Sequence, residues 1–245
     1  MPDPDRRPAY YAAGPGAWWR DWWTLMHPPY TAWHLSYVVI GASLAAHVDV
    51  QRLVATLVAF FCAVGLSAHA ADELHGRPLR TSIPSGVLVA VTAVGLVVAV
   101  GLGVAGVARV GLGLVPFLVL GPLLVIGYNA ELFGGALHTD AAFAVAWGSF
   151  PVLTAYAAQA DGLGVAAVIG AAAAFAISLA QRVLSTPARM LRRRAGTVTG
   201  AITLTDGTVQ PIDEDALRRP LEQALRALSW GMVALAAAMA VARLR

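Results

Sequence analysis

Lysine is absent from this 245-residue chain; all 17 basic residues are arginines. Charged side chains of either sign make up 13% of the sequence, against about 25% in a soluble domain, which excludes a conventional water-soluble fold. Its one cysteine, Cys62, lies inside an apolar run, so no internal disulfide can form. The N-terminal stretch MPDPDRRPAYYAAGPGAWWRDWW has no apolar core and no small-residue cleavage site, so it does not read as a signal peptide. A net charge of +3 argues for no nucleic-acid partner, because the arginines cluster beside apolar spans, where they orient a membrane protein.

What is present is apolar. Hydrophobic residues make up 58% of the chain, and mean hydropathy is +0.66. A membrane span needs about 20 apolar residues. Seven such segments are expected, near 31–48, 52–74, 84–106, 109–128, 141–159, 163–185 and 222–243. Glycine and alanine crowd several of them, which lets helices approach closely and predicts an all-α integral membrane bundle. The organisation reads as an interfacial segment over 1–30, helices 1–6 over 31–185, a connector over 186–221 and helix 7 over 222–245. Trp18, Trp19, Trp22, Trp23 and Tyr30 suit a membrane–water interface. In the connector, alternating residues around Asp206-Gly207 predict a small β-hairpin. Asp213, Glu214 and Asp215 then suit a helix start.

With the N-terminus cytoplasmic, the inside segments hold Arg6, Arg7, Arg20, Arg77, Arg80, Arg189, Arg192 to Arg194, Arg218 and Arg219. The outside segments hold Arg52, Arg109, Arg243 and Arg245. That asymmetry obeys the positive-inside rule and places the protein in the cell membrane. It also puts two polar islands on the same, cytoplasmic side. The first, AHAADELHGRP, carries His69, Asp72, Glu73, His75 and Arg77; the second, YNAELFGGALHTD, carries Tyr128, Asn129, Glu131, His138 and Asp140. Ionisable groups at the ends of apolar spans are costly to desolvate and mark a functional site. His69, Asp72 and Glu73 share a helix face at i, i+3, i+4, a pattern that can ligate a divalent metal. The metal set reads as His69, Asp72, Glu73, His75, Glu131, His138 and Asp140, with His34 in reach as a further group. His27 and His47 read as solvated, and the run Arg192 to Arg194 as a topogenic or headgroup-contacting cluster.

Two segments, HAADELHGRPLRTSIPSG and YNAELFGGALHTDAAFAVAWGSFPVLTAYAAQAD, resemble parts of the UbiA superfamily of intramembrane prenyltransferases. The first is similar to that family's first Asp-rich motif and its Pro-Ser-Gly tail, the second to its Tyr-containing cytoplasmic loop and Gly-rich fifth span. The resemblance implies a UbiA-like bundle with a cytoplasm-facing cavity, and prenyl transfer or cyclisation from an allylic diphosphate. Asp72, Glu73, Glu131 and Tyr128 would then be catalytic, while Arg77, Arg182, Asn129 and His34 would bind substrate, with Mg²⁺ on the diphosphate. Here Ala68 and His69 stand where the family has Asn-Asp, and SLAQRVLSTPARM, at the second motif's place, holds no acid. Imidazole suits Fe, Zn or another transition metal better than Mg²⁺; Mn is a further candidate. A transition-metal membrane enzyme on the same scaffold is therefore one alternative, and a non-catalytic lipid- or quinone-binding protein the other.

Overall fold

The computed structural model describes residues 7–14, 17–129, 134–136, 138–160 and 162–243. Eight helices carry the chain: α1 (Trp18–Leu25), α2 (Pro28–Ser43), α3 (Val50–Leu74), α4 (Ser85–Val110), α5 (Leu112–Asn129), α6 (Asp140–Gln159), α7 (Val165–Arg193) and α8 (Glu214–Arg243). Of these, α3 to α8 are long and apolar enough to cross a membrane. Their outward faces are aliphatic, with Val94, Val97, Val168 and Ile169 exposed on α4 and α7. Such faces are suited to lipid.

Helix α2 departs from expectation. It spans 16 residues, about 24 Å at 1.5 Å per residue, and ends at Ser43 instead of continuing to residue 48. The chain has to turn there because Asp49 caps α3, its carboxylate accepting from Arg52 N at 3.0 Å. Arg243 at the end of α8 then satisfies the freed Ser43 carbonyl at 2.9 Å. Helix α2 is buried on most sides, with Trp33, Tyr37, Val38 and Ala42 almost wholly enclosed. The Tyr37 hydroxyl accepts from Trp33 Nε1 at 2.8 Å and from Ser178 Oγ at 3.1 Å. This central helix, ringed by longer ones, is the frame on which the bundle is built.

Lipid is as apolar as leucine, so helix association in a membrane relies on close packing through small residues. Gly41 brings α2 against the backbone of α6. A Cβ there would sit 2.8 Å from Val152 Cα and press on its carbonyl oxygen. Gly95 does the same between α4 and α3, where a Cβ would lie 2.8 Å from Cys62 O. In both cases the obstacle is backbone and cannot swing aside. Gly41→Ala is therefore expected to lower stability by about 1–3 kcal/mol, the usual cost of overpacking. A thermal melt in mild detergent would measure it, and an unchanged midpoint would show that the two helices can separate freely.

Two of the long helices are not uniformly α. Residues Phe61–Ala68 of α3 and Val145–Ser149 of α6 are wound as π-helix, a local widening often found at functional sites. Successive helices α2 to α8 alternate in direction, so all their ends gather at two levels. At the far end, Gln159 holds Asp49 by two bonds and Arg109 donates to Gln51. The other end, called here the polar end, collects the π-wound helix ends and most of the charge. Among the described residues, only Arg52, Arg109 and Arg243 of the arginines belong to the far end.

The links at the polar end also differ from expectation. Helix α7 continues through Pro187 to Arg193, two turns beyond residue 185, and α8 begins at Glu214. The connector is thereby shortened to 194–213. It holds the hairpin β1 (Gly200–Thr203) and β2 (Val209–Ile212), paired antiparallel, with Gly207 at φ 86 in the turn. The extra turns persist because their charges are paired: Arg192 binds Glu222 of α8, and Arg218 binds Glu222 as well. Residues 7–14 lie across this end as a strap. Its Ala13 N donates to Thr24 Oγ1 at 3.1 Å, and its Pro8 carbonyl accepts from Arg193 Nε at 3.1 Å.

Candidate functional site

The residues after α3 explain part of the polar end without any ligand. Helix α3 stops at Leu74, where Gly76 takes a positive φ of 79. The Glu73 side chain is fully buried and turns toward the following loop. Its carboxylate accepts from Leu79 N, Thr81 N and Thr81 Oγ1, each at 2.9 Å. Arg77 serves the same loop, donating to the Ile83 carbonyl at 2.6 Å and to Ser85 Oγ at 2.7 Å. Glu73 and Arg77, expected as catalytic and substrate-binding groups, therefore organise residues 75–85. His75 lies exposed on that loop.

The remaining polar residues enclose a cavity of about 260 Å³. Helix α2 and the residue before it contribute His27, Tyr30 and His34. Helix α3 adds His69 and Asp72, α5 adds Tyr128 and Asn129, and α6 adds Phe143 and Trp147. Helix α7 supplies Gln181, Arg182, Ser185, Arg189 and Arg193, and His138 closes one side. Two islands far apart in sequence thus meet, with His34, His69, Asp72, Tyr128, Asn129, His138 and Arg182 on one cavity. Glu131 lies outside the described residues.

The π-wound segments help aim these groups. His34 Nδ1 is 2.9 Å from the Trp147 carbonyl, inside the π-segment of α6. His69 Nδ1 lies 3.2 Å from the Gly65 carbonyl, inside that of α3. A carbonyl only accepts, so both rings carry their hydrogen on Nδ1 when neutral, leaving Nε2 as a bare acceptor. His138 stacks on Tyr128 with centroids 4.5 Å apart, and its Nδ1 lies 3.3 Å from the Tyr128 carbonyl. Asn129 spends its amide on Val125 O at 2.7 Å.

Among the described residues, the charges around the cavity do not cancel. Arg182 is held by Asp140 at 2.6 Å, with Asp140 half exposed at the rim. Arg193 uses its Nε on the strap. The Arg189 side chain makes no hydrogen bond or ion pair among the described residues, and neither does the carboxylate of Asp72, which lies in the field of Arg189 and Arg193. Three guanidinium groups thus stand against two carboxylates, one of them already engaged. Gln181 is 3% exposed, and its Oε1 is buried without a partner among the described residues. An unmet buried acceptor costs about 1–3 kcal/mol. Asp140→Asn is expected to release Arg182 into the cavity and strengthen binding of an anion about tenfold, as a charge-assisted bond becomes available. Titration with inorganic diphosphate would measure the gain, and weaker binding would instead make Asp140 a necessary brace.

Among the described residues, no three His, Cys, Asp or Glu side chains converge closely enough to hold a metal ion. Of the seven ligands expected, Glu73 is committed to the loop, His75 points away on the surface, and Asp140 is bound to Arg182.

A second, larger cavity of about 400 Å³ runs between α3, α4, α5 and α6. Its walls are apolar and include Phe60, Leu96, Phe117 and Val125, and it reaches toward Gln51, Arg52 and Arg109 at the far end. Val64 and Trp147 line both cavities. The polar chamber and the apolar cleft therefore adjoin at the two π-wound segments.

Sequence reasoning passed over several of these residues. Arg189 and Arg193 were assigned to a connector or a headgroup cluster because the helix was expected to end at residue 185. The signal that finds them is the spacing Ser178, Gln181, Arg182, Ser185, Arg189 and Arg193, one face of a continuing helix. His27 was expected in solvent; instead it lines the cavity and stacks on His69, with centroids 4.3 Å apart and planes at 12°. Its backbone is left-handed, at φ 46 and ψ 55, a region in which histidine is several-fold enriched among non-glycine residues. No known protein family, curated protein or solved structure matches this chain.

Proposed function

We propose that this chain is a UbiA-like integral membrane enzyme acting on an amphiphile with an anionic, diphosphate-type head and an isoprenoid tail. The observation that carries the reading is the shared wall at Val64 and Trp147, where an arginine-rich chamber adjoins an apolar cleft. A lipid diphosphate needs both environments in that order. The excess of arginine at the polar end makes that end cytoplasmic by the positive-inside rule, and the N-terminal strap lies with it.

In this reading Arg182, Arg189 and Arg193 hold the head, since guanidinium groups match phosphate oxygens with paired donors. Breaking the allylic C–O bond sends the electron pair to the leaving diphosphate. Fixed guanidinium donors in a site poor in water stabilise that growing negative charge. The allylic cation left behind faces the rings of Tyr128, Phe143 and Trp147, which attract positive charge. It is quenched by an acceptor, in prenyl transfer, or by proton loss to a base, in cyclisation. Asp72, whose carboxylate has no ion-pair partner among the described residues, is placed for that proton. The donor set fits an arginine-held head better than a metal-bridged one, because Glu73 and Asp140 are engaged elsewhere.

The test compares binding of geranylgeranyl diphosphate and geranylgeraniol to the purified protein in mild detergent, with release of inorganic diphosphate as the second readout. The diphosphate should bind at least tenfold more tightly than the alcohol, and diphosphate should be released once an acceptor is supplied. Equal affinities would overturn the reading of the head site. Tight binding without release under any acceptor would leave a lipid-binding protein on the same scaffold.

A further inference from the structure

We infer that His27, set by Tyr11 of the N-terminal strap, is a recognition residue that donates a hydrogen bond from Nε2 to an anionic oxygen of the bound head. The strap is thereby a wall of the site. This inference rests on the anionic-head reading above and extends it to residues that none of the expected motifs contain.

His27 is held from four directions. Its Nδ1 lies 2.7 Å from the Tyr11 hydroxyl. Its ring is stacked on His69. Its backbone adopts a left-handed conformation immediately before Pro28, and a following proline disfavours the ordinary helical region. On the fourth side its carbonyl begins α2, accepting from Tyr30 N and Thr31 N at 2.8 and 2.9 Å. A ring fixed this firmly would be expected to use both nitrogens. Yet Nε2 is buried and has no partner among the described residues, on a residue that lines the polar cavity. Buried polar atoms are almost always paired, so an orphan in a cavity wall points to a ligand atom.

The direction of that missing bond follows from the partner. A phenol is a stronger acid than a neutral imidazole, so the Tyr11 O–H donates and Nδ1 accepts. The ring hydrogen then resides on Nε2, which becomes a donor. His34 and His69 show the opposite tautomer, with Nδ1 on carbonyls. With Nδ1 accepting from Tyr11, the ring offers its hydrogen from Nε2. Gln181 on the opposing helix has its own orphan, Oε1, so the chamber has unmet groups on two walls.

The strap makes this arrangement conditional on its own position. Trp23 Nε1 donates to the Tyr11 carbonyl at 3.1 Å, and Arg193, a cavity residue, holds Pro8 O. A head group in the chamber therefore touches a residue whose tautomer the strap sets, and an arginine whose position the strap shares.

Affinity of the full chain for geranylgeranyl diphosphate tests the inference, using His27→Phe, His27→Gln, Tyr11→Phe and Arg189→Gln in detergent. His27→Phe keeps an aromatic ring against His69 and removes the donor; affinity should fall about tenfold to a hundredfold, the range of one charge-assisted bond. His27→Gln, which restores an N–H, should recover part of that loss, a rescue that a purely structural role would not produce. Tyr11→Phe removes one hydroxyl from the strap and should weaken binding severalfold, and it serves as the readout if His27→Phe fails to fold. In wild type, the ¹⁵N signal of His27 Nε2 should move on binding. Wild-type affinity in His27→Phe and Tyr11→Phe, with binding lost in Arg189→Gln, would overturn the inference and leave the head-group reading intact. Equal loss in His27→Phe and His27→Gln would also overturn it. If wild type binds neither diphosphate nor alcohol, both readings fall.

Discussion

Glu73→Ala is expected to lower the stability of the protein by about 3–5 kcal/mol, the cost of removing one partner from a buried, charged hydrogen-bond set. The reason lies in the loop. Leu79 N, Thr81 N and Thr81 Oγ1 all donate to this one carboxylate, and no water reaches the fully buried side chain to replace it. Two backbone N–H groups would lose their acceptor at once. The loop would be freed from α3, and with it Pro78, which lines the cavity. Glu73→Gln retains one acceptor oxygen and should cost roughly half as much. The melting midpoint in detergent, followed by near-ultraviolet circular dichroism, measures both. A Glu73→Ala protein that melts like wild type but loses a bound metal would show the opposite: that the acid serves a metal and the loop holds itself.

The second large effect is on Arg189. Arg189→Gln is expected to weaken binding of geranylgeranyl diphosphate about a hundredfold, because a guanidinium with no partner among the described residues is the group most available to the head. The same substitution should raise the stability of the ligand-free protein. A part-buried cation with no ion-pair partner among the described residues is unfavourable, and Gln removes the charge while keeping the ability to donate. Opposite signs of the two effects identify a binding residue, since a structural arginine would lose both together. Paired titration and melting experiments would test this. If Arg189→Gln binds the diphosphate as wild type does, the head group is held elsewhere, with Arg182 and Arg193 the remaining candidates.

These predictions also show what kind of reasoning reached the site. The two polar islands were legible because ionisable residues at the ends of apolar spans stand out in composition. Their shared end followed from counting helices and arginines. His69, Asp72, Tyr128, Asn129 and His138 stand out that way, His34 as a further group in the first span and Arg182 through the resemblance, and all line one cavity. Glu73, Arg77 and His75 were found by the same signal and face elsewhere. Proximity in sequence to Asp72 says that they are near the site, but not on which side of the helix end they turn. His27 and Arg189 were missed for converse reasons. One depended on a left-handed backbone, the other on a helix that outlasted its apolar stretch.

The amino-acid sequence by itself determined the medium and the element type. Apolar runs of this length, with few charges, form helices across lipid because every backbone group must be satisfied within the segment. It also determined that the polar residues concentrate at one end, because adjacent spans must reverse direction. Only the tertiary structure decided which polar groups meet. Glu73 was claimed by three donors of its own loop, Arg192 by Glu222, and Asp140 by Arg182. Among the described residues, the side chains of Arg189 and Asp72 and Nε2 of His27 were left over, lining a cavity. Hydrogen bonds and ion pairs are satisfied by whatever neighbour packing supplies, and that neighbour is often remote in sequence. The groups left without one become visible only when the helices are assembled.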